Sequence, residues 1–122
     1  MSNFPTNNGV VNHLDMTMTA LNGLVGVEAK RDHSKRSVIV RIAKPTLDLF
    51  DGQEANIAAN KRFIKSMVFG FQELLAEIKS GKIDGFAIAP STDIEQDAVY
   101  LNRTILIGSI LQSICDGTTT LD

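Results

Sequence analysis

Hydrophobic residues recur along this chain with two periods, and the alternation between them predicts the elements. Residues 1–13 follow neither; they are polar, with Pro5, Gly9 and several asparagines, and read as a flexible arm. Residues 14–24 fit both periods: Leu14 to Met18 alternates like a strand, whereas Leu14, Met18, Leu21 and Leu24 suit a short helix. Val25–Ala29 and Ser37–Ala43 then read as two strands of a hairpin around Asp32-His33-Ser34-Lys35. Val38, Val40 and Ile42 are expected to face the core, with Ile39 and Arg41 outward. Pro45 stops the second strand because it has no N–H for a ladder.

A helix is predicted from about residue 52 to 80. Asp51 with Glu54 three residues on resembles a capping box, and Phe63, Met67, Gly70, Phe71, Leu74 and Ile78 form its apolar stripe, widened by Ile64, Val68 and Leu75. Glu73 and Glu77 are placed on the opposite side, and Ser80-Gly81 ends the helix. Gly70 costs about 1 kcal/mol relative to alanine in a helix interior, which suggests a packing notch against the sheet. Gly85–Ala89 reads as a buried strand ended by Pro90, Ser91–Asp97 as a polar loop, and Val99–Leu101 as a further strand. A second helix, capped by Asn102, is expected to run to Cys115, with Ile107, Ile110, Leu111 and Ile114 inward and Gly117 as its stop. The fold class is α+β: a small antiparallel sheet, made of the hairpin and two further strands, packed against one long and one shorter helix. The domain spans 14–117, and 118–122 is a frayed tail.

Composition narrows the function. A chain of 122 residues with 43% apolar and 21% charged residues is an ordinary single domain that needs neither disulfide nor metal to fold. Its formal charge of −2 argues against duplex binding driven by overall charge, so any attraction for phosphate must be local. The lone Cys115 excludes an intrachain disulfide and reads as a small buried hydrophobe. The first residues have neither the basic nor the apolar region of a secretory signal, and no apolar stretch reaches the ~18 residues of a spanning helix, so a cytoplasmic location without membrane contact is expected.

Little chemistry survives inspection. His13, His33 and Cys115 lack the short spacing of a zinc site. Asp93, Glu95 and Asp97 begin like a calcium loop, but Ala98 and Thr104 stand where its glycine and distal glutamate belong. Asp48 and Asp51 flank Leu49-Phe50 near the first helix start, where Asp51 is better explained as a cap than as an acid or base, and Gly23-Leu24-Val25-Gly26 is not a dinucleotide fingerprint. No cofactor and no enzymatic activity are expected. One cluster stands out: five of the seven residues from 30 to 36 are basic or can become so. Lys30, Arg31, His33, Lys35 and Arg36 crowd the hairpin tip, and Arg41 lies further along. Guanidinium forks match phosphate oxygens, and Ser91 and Thr92 could add hydroxyls. The same charges also suit a solvated tip that keeps a sheet edge from aggregating.

The run Glu73-Leu74-Leu75-Ala76-Glu77-Ile78-Lys79-Ser80-Gly81-Lys82-Ile83-Asp84-Gly85-Phe86-Ala87-Ile88, followed by Leu106-Ile107-Gly108-Ser109-Ile110-Leu111, resembles a family of short phage and prophage accessory proteins. The resemblance covers the second half of the chain and implies an origin rather than an activity. The expectation is a homo-oligomeric binding protein, acting in a host cytoplasm, that captures a small anionic, nucleotide-like ligand as part of counter-defence. Inhibition of a host protein and weak nucleic-acid binding are the alternatives.

Overall fold

The computed structural model describes residues 13–32, 34–50 and 60–120. Its elements are α1 (His13–Asn22), β1 (Val27–Asp32), β2 (Ser37–Ile42), a single turn α2 (Lys44–Leu47), α3 (Lys61–Lys79), β3 (Gly85–Pro90), a 3-10 turn (Thr92–Ile94) and α4 (Ala98–Cys115). The expected arm as far as residue 12, the Asp51–Glu54 cap and the last two residues lie outside the described residues; His13 itself opens α1.

The fold is α+β, and its sheet is mixed. β1 and β2 form the expected antiparallel hairpin, in which Ala29 faces Val40 and Arg31 faces Val38. β3 joins the other side of β2, but in parallel. The connection from β2 to β3 contains a whole helix, α3. Such a crossover returns the chain to the same end of the sheet and so makes strands parallel, whereas a tight turn makes them antiparallel. There is no fourth strand among the described residues. Val99, Tyr100 and Leu101 form the first turn of α4, because Asp97 rather than Asn102 is its cap and accepts a hydrogen bond from the Val99 N–H at 2.9 Å. The earlier start gives α4 the length and apolar character of a spanning segment by length and composition alone, while Tyr100, Thr104, Ile107, Ile110 and Leu111 are buried in the domain.

Residues 14–24 take the helical alternative. Leu14, Thr17 and Leu21 are buried one above another on α1, and Val25-Gly26 turns the chain into β1. The amide of Asn22 both accepts from the Ala29 N–H at 2.8 Å and donates to its carbonyl at 3.1 Å, covering part of the outer edge of β1. Val38, Val40 and Ile42 are buried as expected, in one core that also holds Leu47, Ile64 and Leu111. Gly70 is a notch, but it receives α1 rather than the sheet: a Cβ there would lie 2.4 Å from a Leu21 methyl.

α1 also corrects the placement of Glu77. Its carboxylate is buried, at 5% exposure, because α1 packs on that side of α3. His13 Nδ1 meets Glu77 Oε1 at 2.8 Å, and His13 Nε2 meets Glu73 Oε2 at 2.7 Å. The hydrogen bond to Glu77 first, and the field of Glu73 and Glu77 next, raise the His13 pKa above 6.5, against burial and the nearby charge of Lys82. A raised histidine pKa stabilises the fold most below the unfolded value and loses that contribution as pH rises through the folded one. The domain is therefore expected to melt at progressively lower temperature as pH climbs above 6.5, and His13→Gln should flatten that dependence. Thermal melts of both proteins across this range check it; parallel curves would show that the histidine does not titrate against these carboxylates.

Candidate anion-binding surface

Strand alternation decides where the basic residues point. Lys30 lies on the open face of the sheet, exposed and 3.8 Å from Glu28, while Arg31 is on the helix-facing side of β1 and half-buried. Lys35 is exposed in the turn, where its N–H donates to the Asp32 carbonyl at 3.2 Å. Asp32 also accepts from the Ser34 N–H and hydroxyl, and the hydroxyl bond is the main reason its carboxyl titrates below the ordinary value. His33 lies outside the described residues.

Arg36 is the residue the tertiary structure redefines. Its φ of 48° is the only left-handed value of a non-glycine among the described residues. Its guanidinium donates to the Gly81 carbonyl and stands 3.8 Å from Asp84, whose N–H donates to the Arg36 carbonyl at 2.7 Å. Arg36 thus staples the hairpin tip to the turn between α3 and β3. That turn carries Lys79 and Lys82, both exposed. The sequence showed these two only as neighbours of a helix stop, and nothing in it paired them with the hairpin. The resulting end of the domain holds Lys30, Arg31, Lys35, Arg36, Lys79 and Lys82 among the carboxylates of Glu28, Asp32 and Asp84.

Arg41, Ser91 and Thr92 are not part of this end. Five residues of strand separate Arg41 from Arg36, about 17 Å. Arg41 donates from Nη1 to the Pro90 carbonyl at 2.8 Å and to Glu95 at 3.1 Å, which ties it to the loop after β3. The Ser91 N–H donates to the Ile42 carbonyl at 2.9 Å, and its hydroxyl donates to Asp93. Arg41 and Ser91 line an open cavity of about 360 Å³ with Asn22, Leu24 and Glu28. The three acidic residues that resembled a calcium loop have separate tasks: Asp93 accepts from Ser91, Glu95 pairs with Arg41 and Asp97 caps α4. Among the described residues no group of three or more His, Cys, Asp or Glu side chains is arranged to hold a metal ion. Burial pushes the half-buried Cys115 thiol up, toward its unreactive form.

Two other polar clusters were not foreseen. Asp48 accepts from the Tyr100 hydroxyl at 2.6 Å, from Lys44 at 3.1 Å and from Arg103 at 3.2 Å, with both cations about 5.5 Å from the Tyr100 ring. The Tyr100 bond leads the causes that lower the Asp48 pKa. This cluster ties α2 to α4. Lys61, Arg62, Lys65 and Ser66 line an open cavity of about 380 Å³ on the first turns of α3, next to the undescribed residues 51–59.

Compared with known proteins, the chain matches no family model, and no curated protein or solved structure is significantly similar to it. What the fold and surface define is a class: an α+β domain whose hairpin tip and α3–β3 turn form one basic end.

Proposed function

We propose that the domain is a non-enzymatic binding protein that takes a phosphate-bearing anion on this basic end. The observation that carries the reading is the union of two sequence-distant basic segments, 30–36 and 79–82, by the Arg36–Gly81 staple. The surface is open and the large exposed apolar side chains lie elsewhere, so recognition rests on phosphate charge rather than on base stacking. Sequestration of a nucleotide-like signal, in the manner of a phage accessory protein, needs no more than such binding groups. An open site also predicts sensitivity to salt.

The test avoids Arg36, whose replacement would loosen the hairpin itself. Arg31→Ala, Lys35→Ala and Lys82→Ala combined should change stability little, because the described structure gives these side chains no ion pair. Inorganic triphosphate should bind wild type at low ionic strength and the triple variant at least tenfold more weakly, about 1.4 kcal/mol. Equal affinities in calorimetric titration would remove this end from the site and leave the charges as a solvated tip.

A further inference from the structure

Both ring nitrogens of His13 meet a carboxylate, Glu77 on one side and Glu73 on the other. A neutral imidazole has one N–H and one lone pair, so it donates to only one of the two, whereas the imidazolium donates to both. The pair of contacts therefore needs the second proton. Glu77 depends on it most. Its side chain is 6% exposed, and its Oε2 is buried with no hydrogen-bond partner among the described residues. A buried carboxylate without a counter-charge is costly. Glu77 also lies in the last turn of α3, where the helix dipole disfavours negative charge. The backbone of the same residue holds the turn after α3. Its carbonyl accepts from the Lys82 N–H at 3.0 Å, the Ile83 N–H at 3.4 Å and the Ser80 hydroxyl at 3.1 Å. Gly81, which receives the Arg36 guanidinium, lies inside that loop. Glu77 thus joins α1, by its side chain, to the half of the basic end that carries Lys79 and Lys82, by its carbonyl.

We infer that His13 is a pH-sensitive latch on the basic end: its imidazolium holds Glu77 in place, the Glu77 carbonyl holds the α3–β3 turn, and loss of the proton loosens that turn. The charged groups around His13 set the direction. Glu77 and Glu73 on α3 favour the proton, and Lys82 on the turn opposes it. Asp15 shares the first turn of α1, and Arg31 lies on the helix-facing side of β1. With the proton in place both carboxylates are paired, and α1 stays seated with Leu21 in the Gly70 notch. Without it, a ring lone pair faces a carboxylate oxygen. The Glu77 carboxylate then regains hydration only by moving outward, which shifts its own backbone and the three bonds that its carbonyl accepts. An anion beside Lys82 offsets the charge that opposes protonation, so proton and anion each favour the other's binding. This last step rests on the anion-binding reading; the latch itself does not.

Amide hydrogen exchange of the full chain, read by NMR as protection factors at about pH 5.5 and 8.5, tests the latch. In wild type the Lys82 and Ile83 amides should lose roughly tenfold protection between the two, and Val40 in the sheet much less. His13→Gln should hold both amides at the low protection at either pH. Glu77→Gln should hold them at the high one, because its neutral amide needs no counter-charge and pairs with either form of the ring. Two folded variants fixed in opposite states are not the result of a fold that is merely weakened, and circular dichroism checks that both are folded. Lys82 and Ile83 amides that keep step with Val40 in all three proteins overturn the inference. Inorganic triphosphate, titrated calorimetrically into wild type and His13→Gln, tests the link to the basic end. His33 and the triphosphate itself titrate in both experiments. The affinity of wild type should therefore fall roughly threefold further than that of the variant over the same range. Equal falls overturn that link. No triphosphate binding at any pH, with the amide response intact, supports the latch and overturns the anion-binding reading alone.

Discussion

Phe71→Ala is expected to lower the unfolding free energy by roughly 3–5 kcal/mol. Phe71 is 8% exposed on α3 and meets Phe86 of β3 edge to face, with ring centroids 5.0 Å apart and planes at 88°. It joins the long helix to the strand that α3 itself delivers to the sheet. Leu21, Val40, Met67, Leu74 and Ile88 surround a small void beside the two rings, so removing one enlarges a gap that is already present. The walls belong to two helices and two strands and cannot all collapse into it. Against a total stability of about 5–15 kcal/mol, such a loss brings the domain near the limit of folding. Urea unfolding should show a lower midpoint at unchanged slope. A loss below about 1 kcal/mol would mean that the ring is not a core element.

Gly26→Ala should be comparably severe for a different reason. Gly26 has φ +75°, a left-handed conformation that costs an L-residue roughly 1–2 kcal/mol. A Cβ there would also lie 2.1 Å from Thr46 Oγ1. Thr46 cannot retreat freely, since it is buried and its hydroxyl donates to the Val25 carbonyl at 3.3 Å. The Gly26 carbonyl accepts from the Ala43 N–H at 2.8 Å, closing the open end of the hairpin, so a backbone shift would break that bond instead. Overpacking adds roughly 1–3 kcal/mol, for a total of about 2–5 kcal/mol. Gly108, inside α4, is the contrasting case: a Cβ there would meet nothing within 4 Å, so Gly26→Ala is expected to lower the melting temperature strongly and Gly108→Ala not at all. If Gly26→Ala melts like wild type, the α1–β1 turn does not take this conformation.

The candidate site was legible in part. The basic tip is contiguous in sequence, so Lys30, Arg31, Lys35 and Arg36 could be found by counting charges. Lys79 and Lys82 could not, because 43 residues of sequence separate Arg36 from Lys79 and only the tertiary staple to Gly81 joins them. Sequence proximity hides the length of a strand, which carries Arg41 to the other end of the sheet, and Ser91 and Thr92 lie at that end too because β3 is parallel to β2 and finishes beside Ile42.

What the sequence determined by itself was local and periodic. The β-branched alternation of Ser37–Ile42, the apolar stripe of α3 and the positive-φ glycines after α3 and α4, Gly81 and Gly117, follow from backbone sterics and side-chain spacing within a few residues. Tertiary structure decided what depends on partners. Residues 14–24 became helical because Leu14 and Leu21 found a buried face against α3 and Gly70 its notch. Glu77 went inside because α1 brought His13 to meet it. β3 became parallel because α3 lies between it and β2. In each case two alternatives have similar local energies, and burial against a distant segment separates them by more than propensity can.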